Sequence, residues 1–215
     1  SFAHYYNPER LNFGALRVLN DDYIQGGMGF GTHPHENMEI ISIPLKGALK
    51  HRDSMSNEWI PLNTGEVQVM SAGTGIQHSE MNNHPAEEVN LFQTWIVPNK
   101  HNVTPRYDQK VFEASERKNK LQTLVSWIDD EVEGSLTIHQ DAKISRIDLD
   151  KNTKFNYDLK TETNGVYVMV VEGDISVKNK KLKKRDAIGI EQTESFEIES
   201  IDNSELLFIE VPMKF

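Results

Sequence analysis

Residues 29–39 read GFGTHPHENME, and residues 73–82 read GTGIQHSEMN. His33 and His35 stand two apart, as do His78 and Glu80. On a β-strand, residues i and i+2 share a face. Two such strands laid side by side bring three imidazoles and one carboxylate to one point. That set of donors suits a borderline divalent metal held by nitrogen and oxygen. With only protein ligands on one side, positions stay open for water or substrate.

The surroundings extend the pattern. Glu39 follows His35 by four and Gly47 follows Glu39 by eight; Gly65, Gly73, Gly75 and Asn82 complete a glycine framework around the histidines. This framework resembles the two-part signature of the cupin superfamily. Within it, LRVLNDD, GFGTHPHENMEI, HRDS, MSAGTGIQHSEMN and TPRY resemble the bacterial pirin family, most densely over residues 1–107 and more loosely to the end of the chain. The resemblance implies an all-β fold, a bicupin of two jelly-roll-like barrels in tandem. It also implies a metal held by the two His of HPH and by the His and Glu of HxE, here His33, His35, His78 and Glu80.

Composition narrows the classes. The chain has 215 residues, enough for one large or two small domains. No apolar run approaches membrane-spanning length, so no membrane partner is expected. Ser1 and the residues after it read as mid-strand, and pirins carry a short segment before this point, so a preceding segment is expected. Cysteine is absent, which leaves no thiolate catalysis and no Cys-ligated metal. That fits a reducing compartment, and a cytoplasmic location is the expectation. A net charge of -10 argues against direct nucleic-acid binding. The basic run at residues 178–185, KNKKLKKR, reads as a solvated hairpin whose lysines blunt a sheet edge.

Taken in order, the chain shows short strands every eight to twelve residues with turn residues between them, as in a sandwich or barrel. An aromatic, strand-like start at residues 1–12 breaks at Asn7-Pro8. The glycine-rich stretch 26–31 is followed by a strand rather than a helix, which excludes a dinucleotide-binding loop. Residues 38–45 and 89–97 read as strong buried strands. The expected division is an N-terminal metal-binding barrel at 1–98, a polar linker at 99–120 with a helical turn near 112–117, and a C-terminal barrel at 121–215. The halves look like a diverged repeat: 43–47 parallels 169–173, 65–67 parallels 185–187, and 95–98 parallels 209–212. Counting back from Gly173 as the first histidines count back from Gly47 gives Leu159 and Thr161. No His follows His139, so one metal per chain is expected and the second barrel holds none.

Glu39 lies in phase with His33 and His35, where many cupins place a ligand. In pirin-like chains Glu80 takes that part, so Glu39 is expected to support the site. The other five histidines have no partner at ligand spacing, and the tryptophans read as core. The donors suit Fe(II), Mn, Co, Ni or Cu, and do not exclude Zn; the resemblance favours iron. It implies a quercetin 2,3-dioxygenase that opens the central ring of a flavonol with dioxygen and releases carbon monoxide, with Glu80 as the base. The alternative it implies is a metal-dependent regulatory protein acting through a protein partner, as in transcription-cofactor pirins.

Overall fold

The computed structural model describes residues 11–215. The expected strand near the start of the chain lies outside those residues, apart from its last two positions. The described chain forms two compact units. The first holds residues 16–112 together with 136–140, and the second holds 12–15, 113–135 and 141–215.

The first unit contains β1 (Leu16–Ile24), β2 (Gly29–His35), β3 (Glu39–Lys46), β4 (Ala48–Asp53), β5 (Ile60–Asn63), β6 (Glu66–Ser71), β7 (Ile76–Asn82), β8 (Val89–Ile96) and β9 (Arg106–Val111). One sheet runs β1-β8-β3-β6-β9 and the other β2-β7-β4-β5. The first eight of these nine strands, split in this interleaved way, make a jelly roll. The strand β3 is buried almost throughout, with Ile40, Ile41 and Ile43 in the core, so its apolar run does not alternate. The strand β2, in contrast, lies at a sheet edge with most of its residues exposed.

Later in the chain come β10 (Gln122–Trp127), β11 (Leu136–Ile138), β12 (Lys143–Leu149), β13 (Lys154–Asp158), β14 (Asn164–Glu172), β15 (Asp174–Val177), β16 (Lys180–Lys183), β17 (Ala187–Glu191), β18 (Ser195–Ser200) and β19 (Ser204–Pro212). The strand β11 belongs to the first unit. The second unit runs β10-β12-β19-β14-β17 in one sheet and β13-β18-β15-β16 in the other. The orders β1-β8-β3-β6 and β12-β19-β14-β17 match strand for strand, as do β2-β7-β4-β5 and β13-β18-β15-β16. The repeat read from the sequence is therefore a repeat of topology. Its turns agree as well: Gly47 and Gly173, which each join the third strand to the fourth, have φ of 77° and 83°, a region that favours glycine.

The basic run forms the β15–β16 hairpin, turning at Lys178 and Asn179, both with positive φ. It places its lysines on β16, the edge strand of its sheet. The stretch expected to link the domains is partly sheet. Residues 106–111 form β9, which pairs with β6 from Glu66↔Val111 to Ser71↔Arg106. The first unit thus extends to residue 112. An edge strand with little burial carries no apolar period for sequence reasoning to detect. A 3-10 turn at Ala114–Arg117 follows, where the helical turn was expected.

Candidate metal centre

The site grows out of the pairing of β2 with β7. These strands are antiparallel, with His33 opposite His78 and Phe30 opposite Glu80. Between these pairs, two residues on β2, Gly31 and Thr32, face one on β7, Ser79, so one extra residue is accommodated between Phe30 and His33. Such a bulge re-aims the side chains that follow it. Close backbone approach here requires glycine: a Cβ on Gly29 would overlap the carbonyl oxygen of Glu80.

The imidazoles of His33, His35 and His78 converge, with ligating nitrogens within 4.8 Å of one another. His33 Nδ1 lies 2.8 Å from the Gly31 carbonyl oxygen. A carbonyl only accepts, so Nδ1 carries the proton and Nε2 presents a lone pair. That Nε2 stands 2.9 Å from Nε2 of His78. The Nε2 of His35 is buried with no hydrogen-bond partner, and buried polar atoms are seldom left that way. Burial, then the neighbouring imidazole of His33, pushes His35 down to about 4. Burial, followed by the imidazoles of His33, His51 and His35, pushes His78 down to about 2. Both shifts hold these two rings neutral, the form that binds a cation. Three converging imidazole nitrogens, one of them an orphan, fit a divalent metal of nitrogen preference.

Glu80 is fully buried beside this cluster. Its Oε2 accepts from Nε2 of Gln93 at 2.7 Å, and Oε1 accepts from Oγ of Ser42 at 3.4 Å. Gln93 is itself oriented, because its Oε1 accepts from the Trp95 indole at 3.1 Å. Burial raises the Glu80 carboxyl to about 7, against these hydrogen bonds. Glu80 converges with His78 and His51 within the same 4.8 Å that groups the three imidazoles. Glu39 is also buried and is used differently. It accepts from Oγ of Ser71 at 2.6 Å and from the backbone N–H of His139. It pins residues 136–140 to β3, the supporting role the sequence suggests.

The family model described as Pirin matches residues 1–96, and the one described as Quercetinase C-terminal cupin domain matches residues 123–211. The chain is 41% identical over 213 residues to a quercetin 2,3-dioxygenase of Escherichia coli strain K12, covering 99% of this chain and 89% of the relative. The chain belongs to the pirin family. It is also similar, at 37% identity, to a pirin-like protein of Caulobacter vibrioides, covering 98% of this chain and 89% of that one. Among solved structures it resembles the bacterial pirin YhhW of Escherichia coli in complex with nickel(II). The TM-score is 0.91 at 39% identity, covering 99% of this chain and 89% of that chain.

One buried histidine of this pirin was not singled out by sequence reasoning. His51, on β4, is fully buried against His78 and pairs with Asp53, its Nε2 lying 3.0 Å from Oδ2. Burial pushes its pKa down, against the pull of Asp53. The signal was present as H-x-D on one strand face, two residues apart, but it was overlooked because neither residue continues the HxH or HxE pattern. His84 is structural: its Nδ1 accepts from the backbone N–H of Ala86 and Glu87. His101 is exposed, and His4 lies outside the described residues. Trp59 and Trp127 depart from the expected core placement, whereas Trp95 packs against the core cluster of Ile40, Met70, Ala72 and Ile76. Trp59 lies exposed beneath Lys50 and Arg52, and Trp127 lies half-buried beneath Lys160. Trp95 meets His35 edge to face at 4.8 Å.

Proposed function

We propose that this pirin is a metal-dependent dioxygenase acting on a flavonol such as quercetin, with the metal held by His33, His35, His78 and Glu80. The observation that carries the reading is the convergence of three imidazoles, one with an orphaned buried nitrogen, beside a buried carboxylate. The names of its relatives support the substrate class. The site opens on one side. His33 and His35 are half-buried, whereas His78 and Glu80 are closed off. Phe30, Met28 and Tyr23 are exposed on β2, in the turn before it and on β1, apolar surface suited to a flat aromatic substrate.

When bound, a divalent cation supplies Lewis acidity toward the flavonol 3-hydroxyl. The protein's own part is to take the proton. Glu80 Oε2 is firmly held by Gln93, and the indole of Trp95 fixes which end of that amide faces the carboxylate. Oε1 has only the long contact to Ser42, so Oε1 is the atom that receives the proton. Burial keeps this carboxyl a better base than an exposed one; a nearby cation offsets part of that gain while acidifying the hydroxyl. Burial of His78 and Glu80 keeps water from the inner wall.

The test is dioxygen uptake and carbon monoxide release on a panel of flavonols, with the protein loaded in turn with Fe(II), Mn, Co, Ni, Cu and Zn. At least one metal should support turnover. No turnover with any of them would end the oxygenase reading, leaving the metal to serve a regulatory role through a protein partner.

A further inference from the structure

The three converging imidazoles leave one nitrogen unexplained, Nδ1 of His78, which points away from His33 and into the barrel. It lies 3.4 Å from Nδ1 of His51. Two facing imidazole nitrogens make a hydrogen bond only if one carries a proton and the other does not. His33 pulls one way, since its Nε2 accepts and stands 2.9 Å from Nε2 of His78. The carboxylate of Asp53, beyond His51, pulls the other way, and a charged partner makes the stronger hydrogen bond. His51 Nε2 lies 3.0 Å from Oδ2 of Asp53. Asp53 cannot turn to relieve that contact, because its Oδ1 already accepts from the backbone N–H of Met55 at 2.8 Å and of Ser56 at 3.2 Å. His51 Nε2 therefore carries the proton, and its Nδ1 is an acceptor. Gln68 is consistent with this, with Nε2 3.5 Å from the same nitrogen. The ring of Tyr107 packs on His51 with centroids 4.9 Å apart.

We infer that Asp53 and His51 form a positioning relay that fixes His78 with its proton on Nδ1, so that Nε2 presents a lone pair beside His33 and His35 rather than donating to His33. This rests on the metal-centre reading above. The three groups are on adjacent strands: Asp53 is opposite His78, and His51 is opposite Glu80. Relays of this kind orient a ligand imidazole and raise its basicity, and their loss typically costs about 10- to 100-fold in metal affinity.

The relay makes an isosteric substitution harmful. In Asp53→Asn the amide oxygen must stay on the N–H groups of Met55 and Ser56, so the amide NH2 faces His51 Nε2. His51 then moves its proton to Nδ1, His78 becomes the acceptor there, and Nε2 of His78 is protonated and lost as a ligand. His51→Phe removes the acceptor altogether. His51→Gln restores one, a carbonyl oxygen toward His78 Nδ1.

The experiment measures Ni(II) affinity by competition with a chromophoric chelator for the parent chain, Asp53→Asn, His51→Phe and His51→Gln. It also reads imidazole tautomers from nitrogen-15 correlation spectra of the metal-free proteins. The expected result is an Nδ1–H tautomer for His78 in the parent and an Nε2–H tautomer in Asp53→Asn. Affinity should fall about 10- to 100-fold in Asp53→Asn and His51→Phe, and return to within a few-fold in His51→Gln. An Nε2–H tautomer for His78 in the parent, or parent-like affinity in Asp53→Asn, would overturn the relay. So would a His51→Gln variant that is folded but as weak as His51→Phe. If the parent binds no Ni(II) while the tautomers behave as expected, the metal-centre reading fails and the relay does not.

Discussion

The two barrels share a strand order, and the register lets their interiors be compared rung by rung. His33 opposite His78 in the first corresponds to Tyr157 opposite Phe196 in the second. Glu80 corresponds to Ile198, and His51 to Val177. Where the first barrel brings His33 and His78 to 4.4 Å between centroids, the second stacks Tyr157 on Phe196 at 5.4 Å and on Phe208 at 4.8 Å. These rings join one continuous buried cluster with Val168, Ile175, Ile198 and Leu206. In the first barrel, apolar groups such as Leu49, Leu62 and Leu91, or Ile40, Met70 and Ile76, are set apart in smaller clusters. One scaffold thus serves two ends. The positions proposed to hold ligands in one copy hold core in the other, and burying polar groups there costs stability unless each finds a partner.

The sharpest way to break this contrast is to count metal. A His33→Ala/His78→Ala double variant should lose all bound metal by elemental analysis after dialysis, while His139→Ala should keep it. Metal retained in the double variant would place the ligands elsewhere. Next comes catalysis. At equal metal content, Glu80→Gln should lose about 10²- to 10⁴-fold in flavonol turnover, the usual worth of a general base, since an amide keeps an oxygen but cannot take the proton. Glu39→Gln should lose far less. An unchanged rate in Glu80→Gln would remove it as the base.

Stability should divide the other way. Phe208→Ala should cost about 3–5 kcal/mol in chemical denaturation, as large buried truncations do, with the metal affinity of the folded protein unchanged. A loss of affinity there would show that the second barrel supports the site. The smallest effect is one of pH. Burial raises Glu39 from 4.5 to about 7. A folded value above the unfolded one gives stability that is present below about pH 4.5 and lost as pH rises through about 7. Glu39→Gln removes that loss. In metal-free protein its Tm relative to the parent should therefore rise by several degrees between about pH 5 and 8, at about 2–4 °C per kcal/mol for a chain of this size. A flat difference would mean that Glu39 is ionised in the fold.

Much of this contrast was legible in the chain. HPH and HxE carry strand spacing, and Gly47, Gly65 and Gly173 mark turns that only a few residues tolerate. Counting alone misplaced the second barrel's counterparts at Leu159 and Thr161. Five residues separate β13 from β14, whereas three separate β2 from β3, and that difference of two moves the counterpart of His33 to Tyr157. The strands β10, β13 and β16 also escaped notice, being short or rich in polar and charged residues. His51 shows its partner Asp53 in the H-x-D spacing of one strand, but its contact with His78, 27 positions away, is not something that spacing reports.

The short segment at residues 136–140 has a practical consequence for modularity. It comes from beyond residue 112 yet belongs to the first unit. There the backbone N–H of His139 meets Glu39, Arg106 grips Thr137 through both its hydroxyl and its carbonyl oxygen, and Gln140 caps the carbonyl of Val97 at 2.8 Å. A fragment ending at residue 112 would hold every proposed ligand but would leave a buried carboxylate and a guanidinium without their partners. The duplicated halves are interlaced in sequence. Anyone wishing to transplant the metal barrel must carry this pentapeptide along, rejoined by a new connection, rather than cut the gene at the point where the repeat ends.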